Sequence, residues 1–350
     1  MERNMFTAKA ALAIMLIISI SIIAIRYVTG DIPPPRVTTY AGVGAQGDND
    51  GENARFHLPQ GLFFADGRLV AADTENNSLR LVDSDGYTVR FAETLSLQLN
   101  RPTDGAQLPD GRILIVDSAN HAIHVLDSDG VTTWGGAMGH RDGHVSYAQF
   151  NYPAAVAFDD NGYVYIADAG NHVIRMISPS GEVRTVAGVA GQAGFSEGLA
   201  GASLLNYPMG VAVTACGGRI YISDTGNHLI RVVEHWYVGV LAGELIMFGD
   251  ITDDLLENEE DFPVGSLFNL PRGLAMYGDM LVVADSANHR IQILSPGGDV
   301  LRVIGTGYAG HIDGALANAE FASPTGLAIV GYQLFVADSG NNVIRRVMLY

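Results

Sequence analysis

Residues 167–175 read ADAGNHVIR, and five other stretches read almost the same: ADTENNSLR at 72–80, VDSANHAIH at 116–124, SDTGNHLIR at 223–231, ADSANHRIQ at 284–292 and ADSGNNVIR at 337–345. Their aspartates (Asp73, Asp117, Asp168, Asp224, Asp285 and Asp338) lie 44, 51, 56, 61 and 53 residues apart, and an asparagine follows three positions after each. A period near 50 residues marks one supersecondary unit stacked on copies of itself. The residues between signatures decide which unit. In the fifth copy, residues 273–276, 280–284, 290–294 and 300–304 are short apolar runs, with Gly278-Asp279 and Pro296-Gly297-Gly298 supplying turns. That is the pattern of four antiparallel strands joined by hairpins. The runs are apolar almost throughout, as in sheets covered on both faces. The repeat therefore predicts an all-β chain of six propeller blades.

The two ends of the repeat array predict how the ring closes. The sixth copy stops after its third strand, at residues 343–350. The folded part begins with VTTYAG at 37–42, which matches the fourth-strand endings RTVAG at 184–188 and VGVLAG at 238–243. The first strand should therefore complete the last blade, which removes an exposed sheet edge and makes residues 37–350 a single domain.

Composition excludes several functions. Asp and Glu number 38 against 20 Lys and Arg, a net charge of −18, and the sole lysine is Lys9. Residues 37–350 alone carry 16 arginines against 36 acids. Such a surface repels phosphate backbones and argues against nucleic acid as a partner. A domain without lysine has no Schiff-base or phosphate-loop lysine. One cysteine, Cys216, excludes internal disulfides and multi-cysteine zinc sites.

Residues 10–25 are sixteen residues with nothing more polar than serine, preceded by Arg3 and Lys9 and followed by Arg26. The charge order is that of a segment inserted with its N-terminus in the cytoplasm. Residues 1–29 are expected to be a signal-anchor transmembrane helix or a cleaved signal peptide. Residues 30–36, with three successive prolines, are a short stiff linker. Either form leaves the folded domain outside the cytoplasm, membrane-anchored or secreted.

The repeat resembles the NHL family, named for an Asn-His-Leu triplet that Asn227-His228-Leu229 reproduces. The resemblance covers residues 37–350 and rests further on Asn151-Tyr152-Pro153 before the third signature and on Pro324-Thr325-Gly326 in the sixth copy. It implies a six-bladed propeller but no single activity, because such propellers include binding modules, lyases and relatives of lactonases. Departures are Pro102-Thr103-Asp104 and Pro153-Ala154-Ala155 where other copies read Pro-x-Gly, and Asn77 and Asn342 in place of histidine.

The recurring polar residues read as structural. Each aspartate can accept backbone N–H groups across its turn. Symmetry spreads His121, His172, His228 and His289 around a ring, and Arg80, Arg175, Arg231 and Arg345 are expected to pair with acids between blades. Residues outside the pattern are better candidates for function. The position after each blade-opening proline should lie near the channel mouth; it carries Gln60, Thr103 with Asp104 next, Ala154, Met209, Arg272 and Thr325, of which Gln60, Asp104, Arg272 and Thr325 are the candidate binding residues. Zinc-holding propeller lyases would place histidines along the channel, and this position has none. His140 and His144, with His311 in the matching loop of copy five, are a weaker metal candidate. Residues 250–261 hold seven acids in twelve, a solvated loop, cation site or partner contact, and the shorter acidic stretch Asp48-Asn49-Asp50-Gly51-Glu52 reads as a turn. No catalytic residue and no cofactor are assigned, with a divalent cation left open. The expected function is a binding or scaffold module for a protein or small extracellular ligand on the loop-rich face; the alternative is a lactonase- or lyase-type enzyme with a divalent metal in the channel.

Overall fold

The computed structural model describes residues 34–244 and 267–350. The expected anchor at 1–29, most of the linker and the acidic stretch at 250–261 lie outside the described residues. Within them the chain forms six antiparallel sheets, each built on four strands; in five of them these neighbour one another in chain order, and the sixth takes its fourth strand from Arg36–Ala41. The third blade is typical, with strands Pro153–Phe158, Val164–Asp168, Val173–Ile177 and Glu182–Ala187. Its register runs Ala155↔Ala167, Ile166↔Arg175 and Met176↔Arg184. Among the described residues no helix is long and apolar enough to cross a membrane.

Ring closure occurs as the two chain ends predict. Strand Arg36–Ala41 pairs antiparallel with Val343–Met348, in register Val37↔Val347 and Thr39↔Arg345. It starts at Arg36, one residue inside the expected linker. The four-strand reading needs one correction. Three blades carry a fifth, two-residue strand at the rim: Gly143–His144, Gly198–Leu199 and Gly314–Ala315, the last pairing with the closing strand. Two residues, one of them glycine, leave no alternation for a sequence reading to detect.

The apolar faces meet between blades. One cluster joins Val116, Ile123 and Val125 of the second blade to Val156, Ile166 and Ile177 of the third. Burying both faces of every sheet is why the strands are apolar throughout rather than alternating.

The signature residues build two polar devices that hold this stack. The first is a buried knot inside each blade. Asp168 Oδ1 accepts the Asn151 N–H at 2.7 Å, and Oδ2 accepts Asn171 Nδ2 and Arg175 Nη1, both at 2.8 Å. Arg175 also donates to the carbonyls of Gln149 and Arg141, each at 2.9 Å, and to Asp142 at 2.6 Å. Asp168 and Arg175 are both fully buried. The same knot recurs around Asp73, Asp224 and Asp338, while His124 replaces the arginine beside Asp117 and Gln292 with Arg290 replaces it beside Asp285. The expected pairing holds in part: acids in the segments joining one blade to the next, Asp48, Asp142 and Asp313, bind Arg80, Arg175 and Arg345. Each arginine also binds its own blade's aspartate seven residues earlier and reaches a loop wrapped around the rim. The segment read as a turn, Asp48-Asn49-Asp50, is such a loop: Asp48 and Asp50 both bind Arg80.

The second device links neighbouring blades. The signature turn ends on a residue in the left-handed conformation, His172 at φ 60° and Asn342 at φ 54° among them. Its side chain accepts a backbone N–H from the residue before the next blade's opening proline. His121, His172, His228 and His289 accept through Nδ1 from Tyr152, Tyr207, Leu270 and Ser323, at 3.0–3.2 Å. Asn77 and Asn342 do the same through Oδ1, to Arg101 and Leu58. Asn replaces His in two copies because both present an acceptor there, and Asn tolerates the left-handed region well.

A prediction follows for His172. His172→Asn should melt within a few tenths of a kcal/mol of the parent, whereas His172→Leu loses the acceptor and costs about 1–2 kcal/mol in denaturant titration. Burial holds the His121 and His172 imidazoles below the usual 6.5. The unfolded chain then binds protons more readily than the fold, so this contribution is complete above pH 6.5 and falls as pH drops through the lowered values. His172→Asn should flatten that acid loss.

Candidate functional site

The six innermost strands start around the channel axis, and a cavity of about 110 Å³ opens there. Its wall is formed by the first residues of each inner strand, with Gln60, Asp104, Arg272 and Thr325 all part of it, joined by Thr103 and Met209. The predicted positions thus gather at one mouth, on the same face as the signature turns.

Close approach explains the Pro-x-Gly rule. A Cβ on Gly273 would stand 2.0 Å from the Thr325 carbonyl oxygen, and one on Gly326 2.0 Å from that of Gln60. Neighbouring inner strands leave no room for a side chain, so a residue other than glycine marks a break in the ring. Ala155 and Asp104 are those breaks, and Asp104 is the polar one. Its carboxyl stands where the other copies have glycine or alanine, and Oδ2 accepts the Val156 N–H of the third blade at 3.0 Å. Lining a narrow channel walled by protein, the carboxyl is poorly solvated. Burial pushes its pKa up to about 7, against the pull of the Val156 and Gly105 amides. Near neutral pH Asp104 therefore exists in both protonation states.

Arg272 is the cation of the mouth. Loss of water lowers its pKa from the ordinary value, and its guanidinium has no hydrogen-bond or ion-pair partner among the described residues, while its carbonyl accepts the Ser223 hydroxyl at 2.6 Å. The Gln60 side chain is likewise without a partner among the described residues, though its carbonyl accepts Thr325 Oγ1 at 3.1 Å. Thr325 differs from the others. Its hydroxyl is 2.5 Å from Ser339 Oγ and also faces the Pro59 carbonyl, so it serves blade packing. The same link joins Thr74, Thr225 and Ser286 to the opening proline of the following blade. Three groups, Asp104, Arg272 and Gln60, remain turned toward any occupant.

The weaker metal candidate does not assemble. His140 Nε2 lies 2.9 Å from Thr185 Oγ1 and His144 Nδ1 2.9 Å from Ser146 Oγ, both on the third blade. His311 contacts Thr39 on the sixth, at 2.9 Å. Asp142 between the first two is taken by Arg175. Spacing of four in a glycine-rich loop does not bring imidazoles together as it does on a helix face. Among the described residues no three His, Cys, Asp or Glu side chains converge to hold a metal ion.

The sequence profile of the NHL repeat matches residues 150–175 and 205–233, the third and fourth copies of the signature. The chain carries NHL repeats within a six-bladed propeller. It is 30% identical over 222 residues to human NHL repeat-containing protein 2, covering 57% of this chain. It is 29% identical over 319 residues to Protein SUPPRESSOR OF QUENCHING 1, chloroplastic, of Arabidopsis thaliana, covering 87% of this chain. The matched part spans 30% and 26% of those relatives. Among solved structures, this propeller is similar to an auxiliary nutrient binding protein from Bacteroides ovatus, with TM-score 0.65, 16% identity, and coverage of 90% of this chain and 76% of that one. A gluconolactonase from Xanthomonas campestris aligns with TM-score 0.58 and 13% identity over 91% and 96%. At such identities the likeness is one of fold, and fold alone does not choose between binding and catalysis.

Proposed function

We propose that this NHL propeller is a binding module working outside the cytoplasm, tethered through residues 1–29 or released from them, that takes a small polar ligand at the channel mouth. One observation carries the reading: Arg272 and Asp104 share the cavity without being ion-paired to each other. The protein has left a desolvated cation and a proton-sharing carboxyl facing the same space, a cost that an occupant bearing both acceptors and donors would offset. The cavity volume suits a few heavy atoms, such as a small carboxylate or the end of a larger ligand. The nutrient-binding structural relatives are compatible with this reading, and an acidic protein surface adds selectivity against strongly anionic ligands.

The test is calorimetric titration of residues 34–350 with small carboxylates and neutral sugars. Binding at the mouth should weaken at least tenfold in Arg272→Gln. In the parent it should change through pH 7, and Asp104→Asn should remove that change. Titrations in which both variants bind as the parent does would refute the site. Membrane attachment is tested separately, by fractionating cells that express the full chain against one starting at residue 34.

A second reading has one observation in its favour. A carboxyl titrating near 7 has the affinity a general base needs at neutral pH. Lactone hydrolysis lost in Asp104→Asn but retained in Thr103→Ala would turn the mouth into an active site.

A further inference from the structure

On the face opposite the mouth, a cleft of about 320 Å³ opens between the rims of the third and fourth blades. Its floor is apolar: Met176, Val186, Ile220 and Val233 are all buried. One wall is the Trp236 indole, 58% exposed, with the Arg184 guanidinium 5.3 Å from its ring centroid.

The fourth blade departs from the repeat in two turns, and both departures shape this cleft. Its third and fourth strands close through Glu234↔Tyr237, with only His235 and Trp236 between them. These residues adopt φ 50° and φ 62°, the geometry of a two-residue turn that ordinarily takes Asn-Gly. Elsewhere the corresponding turn places glycine at positive φ, as at Gly86, Gly181 and Gly298. A tryptophan there is conformationally costly, and the fold gains no buried packing from an exposed indole. The second departure is Cys216-Gly217-Gly218. A Cβ on Gly217 would stand 2.4 Å from Asp159 Oδ2, so the fourth blade's hairpin sinks against the third and forms the cleft wall.

The charges around the cleft are nearly all engaged. Asp159 accepts the N–H groups of Asn161 and Tyr163 at 2.9 and 3.0 Å and the Tyr165 hydroxyl at 3.2 Å. Glu234 is paired with Arg219 at 3.1 Å. The Arg184 side chain has no carboxylate or hydrogen-bond partner among the described residues, and its guanidinium carbon lies over the Trp236 ring. An apolar floor, an aromatic wall and a single available guanidinium match one class of molecule.

We infer that this cleft binds an amphipathic carboxylate, with its ring on the apolar floor against Trp236 and its carboxylate on Arg184. The volume accommodates a body of roughly ten to fifteen heavy atoms, at the small end of ligand pockets. The site is independent of the channel mouth.

The experiment is calorimetric titration of residues 34–350 with 2-naphthoate and with its neutral counterpart 2-naphthylmethanol. Naphthoate should bind in one saturable step, at least roughly tenfold tighter than the alcohol, the value of a charge-assisted pair. Arg184→Gln, at an exposed position, should erase that difference while leaving the alcohol unchanged, and Trp236→Leu should weaken both. Arg272→Gln should leave naphthoate binding intact, which separates this cleft from the mouth. Equal affinity for acid and alcohol, no saturable binding, or an Arg184→Gln variant that still prefers the acid would each overturn the inference.

Discussion

Arg175→Met should lower stability by about 3–5 kcal/mol, the range for removing one partner of a buried ion pair. The side chain is fully buried and makes four polar contacts, to Asp168, Asp142 and the carbonyls of Gln149 and Arg141. It also packs over the Phe150 ring at 5.3 Å. Methionine fills comparable volume, so the loss isolates the polar part. The direction with pH is specific. Burial already pushes the Asp168 carboxyl up, and Arg175 is among the groups that pull it back. Without the arginine the carboxyl holds its proton to higher pH in the fold than when unfolded. A group with a raised folded pKa contributes stability below its unfolded value and loses it as pH rises through the folded one. The variant should therefore lose more against the parent at pH 8 than at pH 5. Arg175→Gln should retain part of the loss, since Gln292 reaches Asp285 at 2.7 Å in the fifth blade. Denaturant midpoints of Arg175→Met indistinguishable from the parent at both pH values would refute the role.

The repeat was legible because one device is written six times. Asp, Asn three residues later and Arg or a substitute seven residues later are three groups of one buried knot, and burial forbids leaving any of them without partners. The inter-blade link was legible only as a recurrence: His and Asn alternate in sequence because the fold asks for an acceptor, a property shared by unlike side chains. What escaped the sequence were the contacts whose partners lie in the loops between one signature and the next. Asp48, Asp142 and Asp313 stand 32, 33 and 32 residues before Arg80, Arg175 and Arg345, but among the described residues only these three blades carry the acid, too few for a recurrence to stand out. The rim strands Gly143–His144 and Gly314–Ala315 are hidden because two residues show no alternation.

The site was legible to a smaller degree. Position after the blade-opening proline located the mouth, and the loss of glycine at Asp104 flagged a side chain the architecture does not ask for. The same rule overreached at Thr325, whose hydroxyl belongs to the link with Ser339 and Pro59. Placement in the ring is a topological property that the repeat encodes. Whether a hydroxyl is free or engaged depends on a neighbour some 265 residues away across the closure. The cleft beneath the third and fourth blades was invisible from the signature, because it is built from the turns that vary.

Removing the closing strand should have an effect of similar size. A chain starting at residue 43 leaves Val343–Met348 without its partner, an edge of unpaired backbone groups beside a core it no longer covers. Val37 is fully buried and Ala41 nearly so, and Val37 packs in the cluster that joins the fifth and sixth blades, with Phe321 and Val347. The backbone bonds to Val343–Met348 and the buried valine together put the loss on the order of 5 kcal/mol. The rim strand Gly314–Ala315 loses its partner as well, and with it the Thr39 amide that donates to Asp313 Oδ2 at 2.8 Å. Asp313 is in turn the acid that binds Arg345 at 2.7 Å, so the sixth knot loosens with the closure. The truncated chain should melt well below residues 34–350 and self-associate through the exposed edge, measured by calorimetry and light scattering. A peptide of residues 34–42 supplied in trans should restore the melting temperature and the monomer, because the missing piece is a strand and not a fold-determining core. A truncated chain that stays monomeric and melts with the parent would show that the ring is held by its blade interfaces alone.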